Sequence, residues 1–355
     1  MLVFTWRVAN MTLESLRFLR KQYFQLLPVA QLQWPDSQVL KQPHVQTWLF
    51  HNLFDSEVLN YPPPQRYQLR VLKLLVSKLE AGIEDPDEDE LSDDLTCALC
   101  SLLAANLPSE VVSAQRKSYV TYSWDLTRQP EGRQEEDPGG CEFSITLLES
   151  PSLISSSGTT GLRTWEAALH LATFLATTPK GRRYVGAKRM LELGAGTGLV
   201  SVLCAKYLGT ASVVATDGDA GVVEGLGTNA FVNELAGGEG PGEGQKMEAN
   251  VLKWGRTLLG NAILDDEDRA PFDLVLGADV TYDTAVIPAL VATLVELRHR
   301  SRPESSPLVV LLAATIRNQT TFATFERACA PLARLALYLN LLPCPFSANS
   351  APSWP

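Results

Sequence analysis

The segment MLELGAGTGL, Met190 to Leu199, constrains this chain more tightly than any other. A short apolar run ends in Gly194-Ala195-Gly196-Thr197-Gly198, and a helical pattern starts at once at Leu199. Glycine is demanded where a chain turns sharply and where a ligand must touch backbone. A strand that feeds such a loop, with a helix N-terminus behind it, gathers free N–H groups and a positive dipole end at one point. The spacing is G-x-G-x-G, with Glu192 two residues before the first glycine, rather than the dinucleotide pattern G-x-G-x-x-G. No Lys-Ser/Thr pair follows, which excludes a Walker A loop.

The residues around the loop predict the architecture. Apolar strand patterns at Arg189–Leu193, Ala211–Thr216, Phe272–Leu276 and Leu308–Ala314 alternate with helical ones at Thr164–Ala176, Leu199–Leu208, Gly221–Leu235 and Ala285–Arg298. Thr164 reads as the cap of its helix. This alternation predicts an α/β fold, a doubly wound Rossmann-like parallel sheet, with ligands bound beyond the carboxyl ends of its strands. Asp217 stands at such an end, 23 residues after Gly194, where a carboxylate can hold two ribose hydroxyls. A nucleoside carrying an amino acid suits this set best, which points to S-adenosylmethionine, with Glu192 orienting its cationic methionine end. A tight turn without a ligand is the bland alternative.

The rest of the chain narrows the class by exclusion. Forty acidic against thirty basic residues give a net charge of −10, a poor balance for neutralising phosphates, so no direct nucleic-acid partner is expected. The longest apolar run, Leu308–Ala314, is far short of the roughly 20 residues that span a bilayer. MLVFTWRVAN carries no signal-peptide pattern, which points to a cytoplasmic protein, with the nucleus as the alternative; separately, a monomer is expected. Residues 1–115 show leucines at helical spacing and predict a separate helical region, with the acidic stretch Glu84–Glu90 as a solvated loop. Cys97 and Cys100 form a C-x-x-C inside an apolar helical run and read as buried core thiols. With four scattered histidines, no metal site is expected. Short strand patterns follow at YVTYSWDL and CEFSITLLES, and residues 127–140 and 234–245 read as turn-rich or flexible insertions.

Four motifs occur in order: Gly161-Leu162-Arg163-Thr164-Trp165-Glu166-Ala167-Ala168, then Leu191-Glu192-Leu193-Gly194-Ala195-Gly196-Thr197-Gly198-Leu199, Leu252-Lys253-Trp254, and Gly277-Ala278-Asp279-Val280-Thr281-Tyr282. Together they resemble the class I seven-β-strand methyltransferases, and within them the protein-lysine group called methyltransferase family 16. The resemblance covers residues 115–328 and only loosely the N-terminal helices, so the expected methyltransferase domain is 116–328. It implies that Trp165 packs on S-adenosylmethionine, that Gly194, Ala195 and Gly196 pass under its methionine part, and that Asp217 holds its ribose. Trp254 and Ala278 would border the adenine and the site floor. Asp279 and Tyr282 would receive the substrate lysine, Asp279 as the group that draws in its ammonium. Plainer roles stay open: core packing for Trp165, cover of the sheet edge for Trp254, and helix capping for Asp279.

The run Ser157–Leu162, with a helical N-terminal region of this length, most resembles the branch acting on elongation factor 2, and so implies that protein as substrate and partner. Another protein, a small molecule, or a catalytically weak cofactor-binding role are the alternatives. One departure stands out. After Phe325 the family continues into an antiparallel strand hairpin, whereas here the Pro- and Ser-rich residues 329–355 read as an atypical tail without strands.

Overall fold

The computed structural model describes residues 2–85, 89–125, 142–151, 160–236, 246–255, 271–301, 308–333 and 340–343. The chain divides into two compact units, Met1–Ser123 with Leu148–Ser152, and Trp124–Leu147 with Leu153–Pro355. The predicted insertions fall largely outside the described residues, as do Ser157 to Thr159 and the acidic residues 86–88.

The first unit is helical over most of its length, with Leu2–Phe24, Gln65–Gly82 and Asp93–Ala104 as its longest helices. The i, i+3, i+4 spacing of Leu16, Leu19 and Tyr23 sets them on one stripe, and all three are buried. They join Leu72, Leu75, Leu79 and Leu95 in a single core. Gln46 ties polar backbone to this core. Its amide donates to the carbonyls of Lys41 and Glu90 and accepts from Ser92 N at 2.8–3.0 Å. The acidic stretch is not simply solvated, because Asp89 accepts from Lys41 Nζ at 3.0 Å. Cys97 and Cys100 correct the expectation of core thiols, since both are exposed. Leu95 is the one fully buried residue of their helix, so the apolar run is wider than the stripe it buries.

Strands β1 (Ser118–Asp125) and β2 (Glu142–Glu149) match the two predicted strand patterns. The sheet of the second unit holds β3 (Arg189–Leu193), β4 (Ser212–Asp217), β5 (Met247–Val251), β6 (Leu274–Ala278), β7 (Val309–Ala314) and β8 (Asn340–Pro343). Their order is β5-β4-β3-β6-β7-β8, and every pairing is parallel. Parallel strands need crossover helices on both faces, which explains their continuous apolar runs. Leu191, Leu193, Val275, Val310 and Leu312 face one core with Leu290, Leu294 and Phe325. The alternate residues Met190, Val213, Leu274, Leu276 and Leu311 are buried as well.

The chain runs outward from β3 to β4 and β5, then returns to β6 on the other side of β3. The reversal point therefore lies between β3 and β6, where open sheets of this type leave a crevice. Some elements escaped the sequence reading, β5 and a short helix among them. β5 carries the polar sequence MEANV at the sheet edge, and helix Pro179–Val185 is one short proline-initiated turn pair. The region after Phe325 also differs from expectation. Its helix continues to Ala333, and β8 pairs with β7 from Leu311↔Asn340 to Ala314↔Pro343. A strand is thus present in the tail, paired parallel to β7.

Phe325 is fully buried against helix Ile287–Arg300 and β7. Phe325→Ala is expected to cost about 3–5 kcal/mol, the usual loss for emptying an aromatic core site. Urea unfolding of both proteins checks this, and a loss below about 1 kcal/mol would place the residue outside the core.

Candidate functional site

The register of β3 decides what stands together at the carboxyl ends of the strands. Leu193 is level with Thr216 of β4 and Gly277 of β6, so Gly194, Asp217 and Ala278 form the next row. Ala278 is in turn level with Ala313. The ladder continues past the strands. Ala195 N donates to Thr216 O at 2.8 Å, Leu252 N to Asp217 O at 2.9 Å, and Asp279 N to Ala313 O at 2.8 Å. Above this row opens a cavity of about 890 Å³, and all ten residues singled out from the sequence line it.

The glycine loop is built for close approach. Gly194 and Gly196 have φ of +63° and +55°, in the left-handed region that side chains resist. At Gly194 a Cβ would also sit 2.9 Å from Val280 Cγ1, whereas at Gly196 its nearest protein neighbour would be 3.6 Å away. Gly194 is therefore constrained by the protein itself, while a Cβ at Gly196 would meet Gly161 backbone at ordinary contact distance, so there the left-handed φ is what favours glycine. Asp217 spans the loop from below: Oδ2 accepts from Gly196 N at 3.2 Å and Oδ1 from Asp219 N at 3.2 Å. Burial pushes its carboxyl above the usual range, against the hydrogen bonds that pull it down.

Glu192 sits deeper than the sequence suggested. Its Oε2 accepts from Ser201 N at 2.9 Å and from Ser201 Oγ. It thereby satisfies an orphan donor in the first turn of helix Leu199–Tyr207 and fastens the helix behind the glycine loop. Burial lifts its carboxyl to about 7. Thr164 is also corrected. Trp165 holds the N-cap position of helix Glu166–Thr177, and Thr164 Oγ1 instead pairs with Thr197 Oγ1 at 2.7 Å, joining the first motif to the glycine loop.

The opposite wall is charged. Asp279, at φ +57°, accepts from Thr315 N at 3.0 Å through Oδ1 and from Arg317 Nη2 at 3.0 Å through Oδ2. Arg163 and Arg317 lie 4.7 and 5.3 Å from the Trp165 ring centroid, within cation–π range. Trp165 Nε1 donates to Thr160 O at 3.0 Å, and Tyr282, largely exposed, places its hydroxyl 3.3 Å from Thr160 Oγ1. Sequence reasoning gave Arg317 no role in the site. The signal that could have found it is position: it follows the carboxyl end of β7, beside the end of β6 that supplies Asp279.

A family model described as lysine methyltransferase matches residues 154–328. Over 310 residues the chain is 46% identical to protein-lysine N-methyltransferase EFM3 of Chaetomium thermophilum, covering 87% of this chain and 84% of that protein. The chain belongs to the lysine methyltransferase family. Two further relatives are EFM3 of Saccharomyces cerevisiae, at 34% identity over 69% of this chain and 65% of that protein, and EEF2KMT of Bos taurus, at 30% over 75% and 72%.

This lysine methyltransferase uses S-adenosylmethionine, and its cavity fits that group. Gly194, Ala195 and Gly196 line it with backbone, and Trp254 Nε1 is buried on the lining with no protein partner. Four carboxylates, Glu192, Asp217, Asp219 and Asp279, line the cavity against Arg163, Lys253 and Arg317, which favours a cationic guest. Among the described residues no group of three or more His, Cys, Asp and Glu is arranged to hold a metal ion, and no helix is long and apolar enough to cross a membrane.

Glu192 makes a pH signature. Between about 4.5, its ordinary value, and about 7, the folded protein keeps a proton that the unfolded chain releases. Its contribution to stability is therefore full at the acid end of this window and is lost as pH rises through 7. Glu192→Gln keeps an acceptor without the charge and should flatten that decline. The expected difference between the pH 5-to-8 stability changes of the two proteins is roughly 1–3 kcal/mol by denaturant unfolding. Parallel pH curves would show that Glu192 is ionised throughout.

Proposed function

We propose that this enzyme transfers a methyl group from S-adenosylmethionine to a lysine of elongation factor 2 in the cytoplasm. The observation that carries the substrate assignment is the 30% identity over 286 residues to the relative named EEF2KMT. The chemistry is supported by a buried carboxylate, Asp279, on a cavity that the glycine loop also lines.

A lysine amine has a reference pKa near 10.4, so at neutral pH it arrives protonated and cannot attack. S-adenosylmethionine, when bound, would supply an electrophilic methyl group for the lysine nitrogen once that nitrogen has given its proton to water. In this reading the chain contributes position and charge. Gly194, Ala195 and Gly196 carry the methionine part, Asp217 accepts the ribose hydroxyls, and Trp165, Trp254 and Ala278 close the walls. Glu192, committed to Ser201 through one oxygen, braces the loop. Asp279 attracts the ammonium and orients the amine, and Tyr282 flanks the lysine stem at the exposed mouth. Such positioning supplies several kcal/mol without a covalent intermediate.

Two variants separate the two halves of the site. Asp217→Ala should weaken cofactor binding by about 1.5–3 kcal/mol in calorimetry, the cost of losing hydrogen bonds to a charged acceptor. Asp279→Ala should leave cofactor affinity nearly unchanged and remove most single-turnover transfer of labelled methyl to elongation factor 2. Circular dichroism confirms that each variant is folded. Full transfer by Asp279→Ala would end its proposed role, and label confined to a different lysate protein would end the substrate assignment.

A further inference from the structure

Arg317 presents a puzzle of charge. Its Nη2 donates to Asp279 Oδ2 at 3.0 Å and also reaches Glu166 Oε2 at 3.4 Å, while its guanidinium lies over the Trp165 ring. Asp279 is only 8% exposed, its Oδ1 is occupied by Thr315 N, and its backbone is held by Ala313 O. A carboxylate whose sole task was to attract an ammonium would act more strongly without a guanidinium on it. A bare carboxylate, however, stabilises the protonated form of any amine beside it. The stronger the attraction, the more firmly the attacking nitrogen would keep the proton that blocks it.

We infer that Arg317 is a positioning residue that neutralises Asp279, so that the substrate amine is oriented by hydrogen bonding without being trapped as its ammonium. This rests on the reading that Asp279 meets the substrate lysine. Other charges bear on the same point. Glu166 opens the adjoining helix and shares Arg317. Arg163 lies on the same Trp165 ring, Tyr282 and Asp283 follow on the Asp279 loop, and Glu192, Asp217, Asp219 and Lys253 sit toward β3, β4 and β5. Among the described residues Arg317 is the cation bonded to Asp279. Its side chain is 46% exposed, so it can be replaced without opening the core.

The test uses the full chain with saturating labelled S-adenosylmethionine and unmethylated elongation factor 2, in single turnovers between about pH 6.5 and 9.5. Arg317→Gln should bind elongation factor 2 about threefold tighter or more in calorimetry without cofactor, because the ammonium meets a carboxylate that no longer faces a guanidinium. Its transfer rate at pH 7 should fall about tenfold and recover toward wild type at the alkaline end, a shift of roughly one pH unit in the rising limb. Arg317→Lys, which keeps a cation, should retain the wild-type limb. The double variant Asp279→Asn/Arg317→Gln, which removes both charges, should move the limb back toward lower pH.

A loss of rate that is equal at every pH, with Arg317→Lys no better than Arg317→Gln, would overturn the inference and leave Arg317 a brace. A double variant that tracks Arg317→Gln would remove Asp279 from the pair. If the wild type leaves elongation factor 2 unlabelled, the substrate assignment fails, and the same pH profiles are read on the lysate protein that does take label. They decide the role of Arg317 in the same way.

Discussion

The parallel pairing of β3 with β4 on one side and β6 on the other is the constraint on which the site depends. Because Leu193 is level with both Thr216 and Gly277, three consecutive strand ends finish in one row. Shifting either neighbour by one residue would turn its side chains to the opposite face of the sheet. Asp217 and Asp279 would then no longer flank the glycine loop together. Burial on both faces pins the register, since Leu191 and Leu193 face one core while Met190 is buried on the other side. Packing energy thus fixes a chemical distance.

Charge organises the space that this register creates. Carboxylates gather from three strand ends, and each is restrained in its own way: Glu192 by Ser201, Asp217 by loop amides, Asp279 by Thr315 and Arg317. Burial raises the carboxyls of Glu192 and Asp217, so both would gain from a positive guest. The sulfonium donor and the methylated ammonium product are both cations, which makes an acidic cavity reasonable for the transfer. The aromatic and guanidinium groups around Trp165 keep that acidity from being uniform.

Most of the second unit was legible in the sequence because its signals are local. A buried parallel strand is a continuous apolar run, and MLELGAGTGL states the strand, loop and helix in ten residues. The ten candidate residues share one cavity because all follow from strand ends or from short motifs. What sequence reasoning missed depends on partners distant in the chain. Arg317 acquires its meaning only through Asp279, 38 positions earlier. Thr164 looked like a helix cap until Thr197 was seen to claim its hydroxyl. Among the described residues strand β5 pairs with β4 alone, and it lacks the apolar run that betrays central strands. The apolar stretch around Cys97 misled for the opposite reason: helical spacing shows which residues could share a face, not how many a small core will cover.

The left-handed backbone of Asp279 carries a consequence of its own. A side chain at φ +57° holds a conformation that costs roughly 1–3 kcal/mol unless the surroundings impose it. Glycine would adopt it without that cost. The position therefore sets backbone ease against the bonds that the carboxylate makes to Thr315 and Arg317, and a laboratory lineage selected only for heat tolerance would show which of the two weighs more.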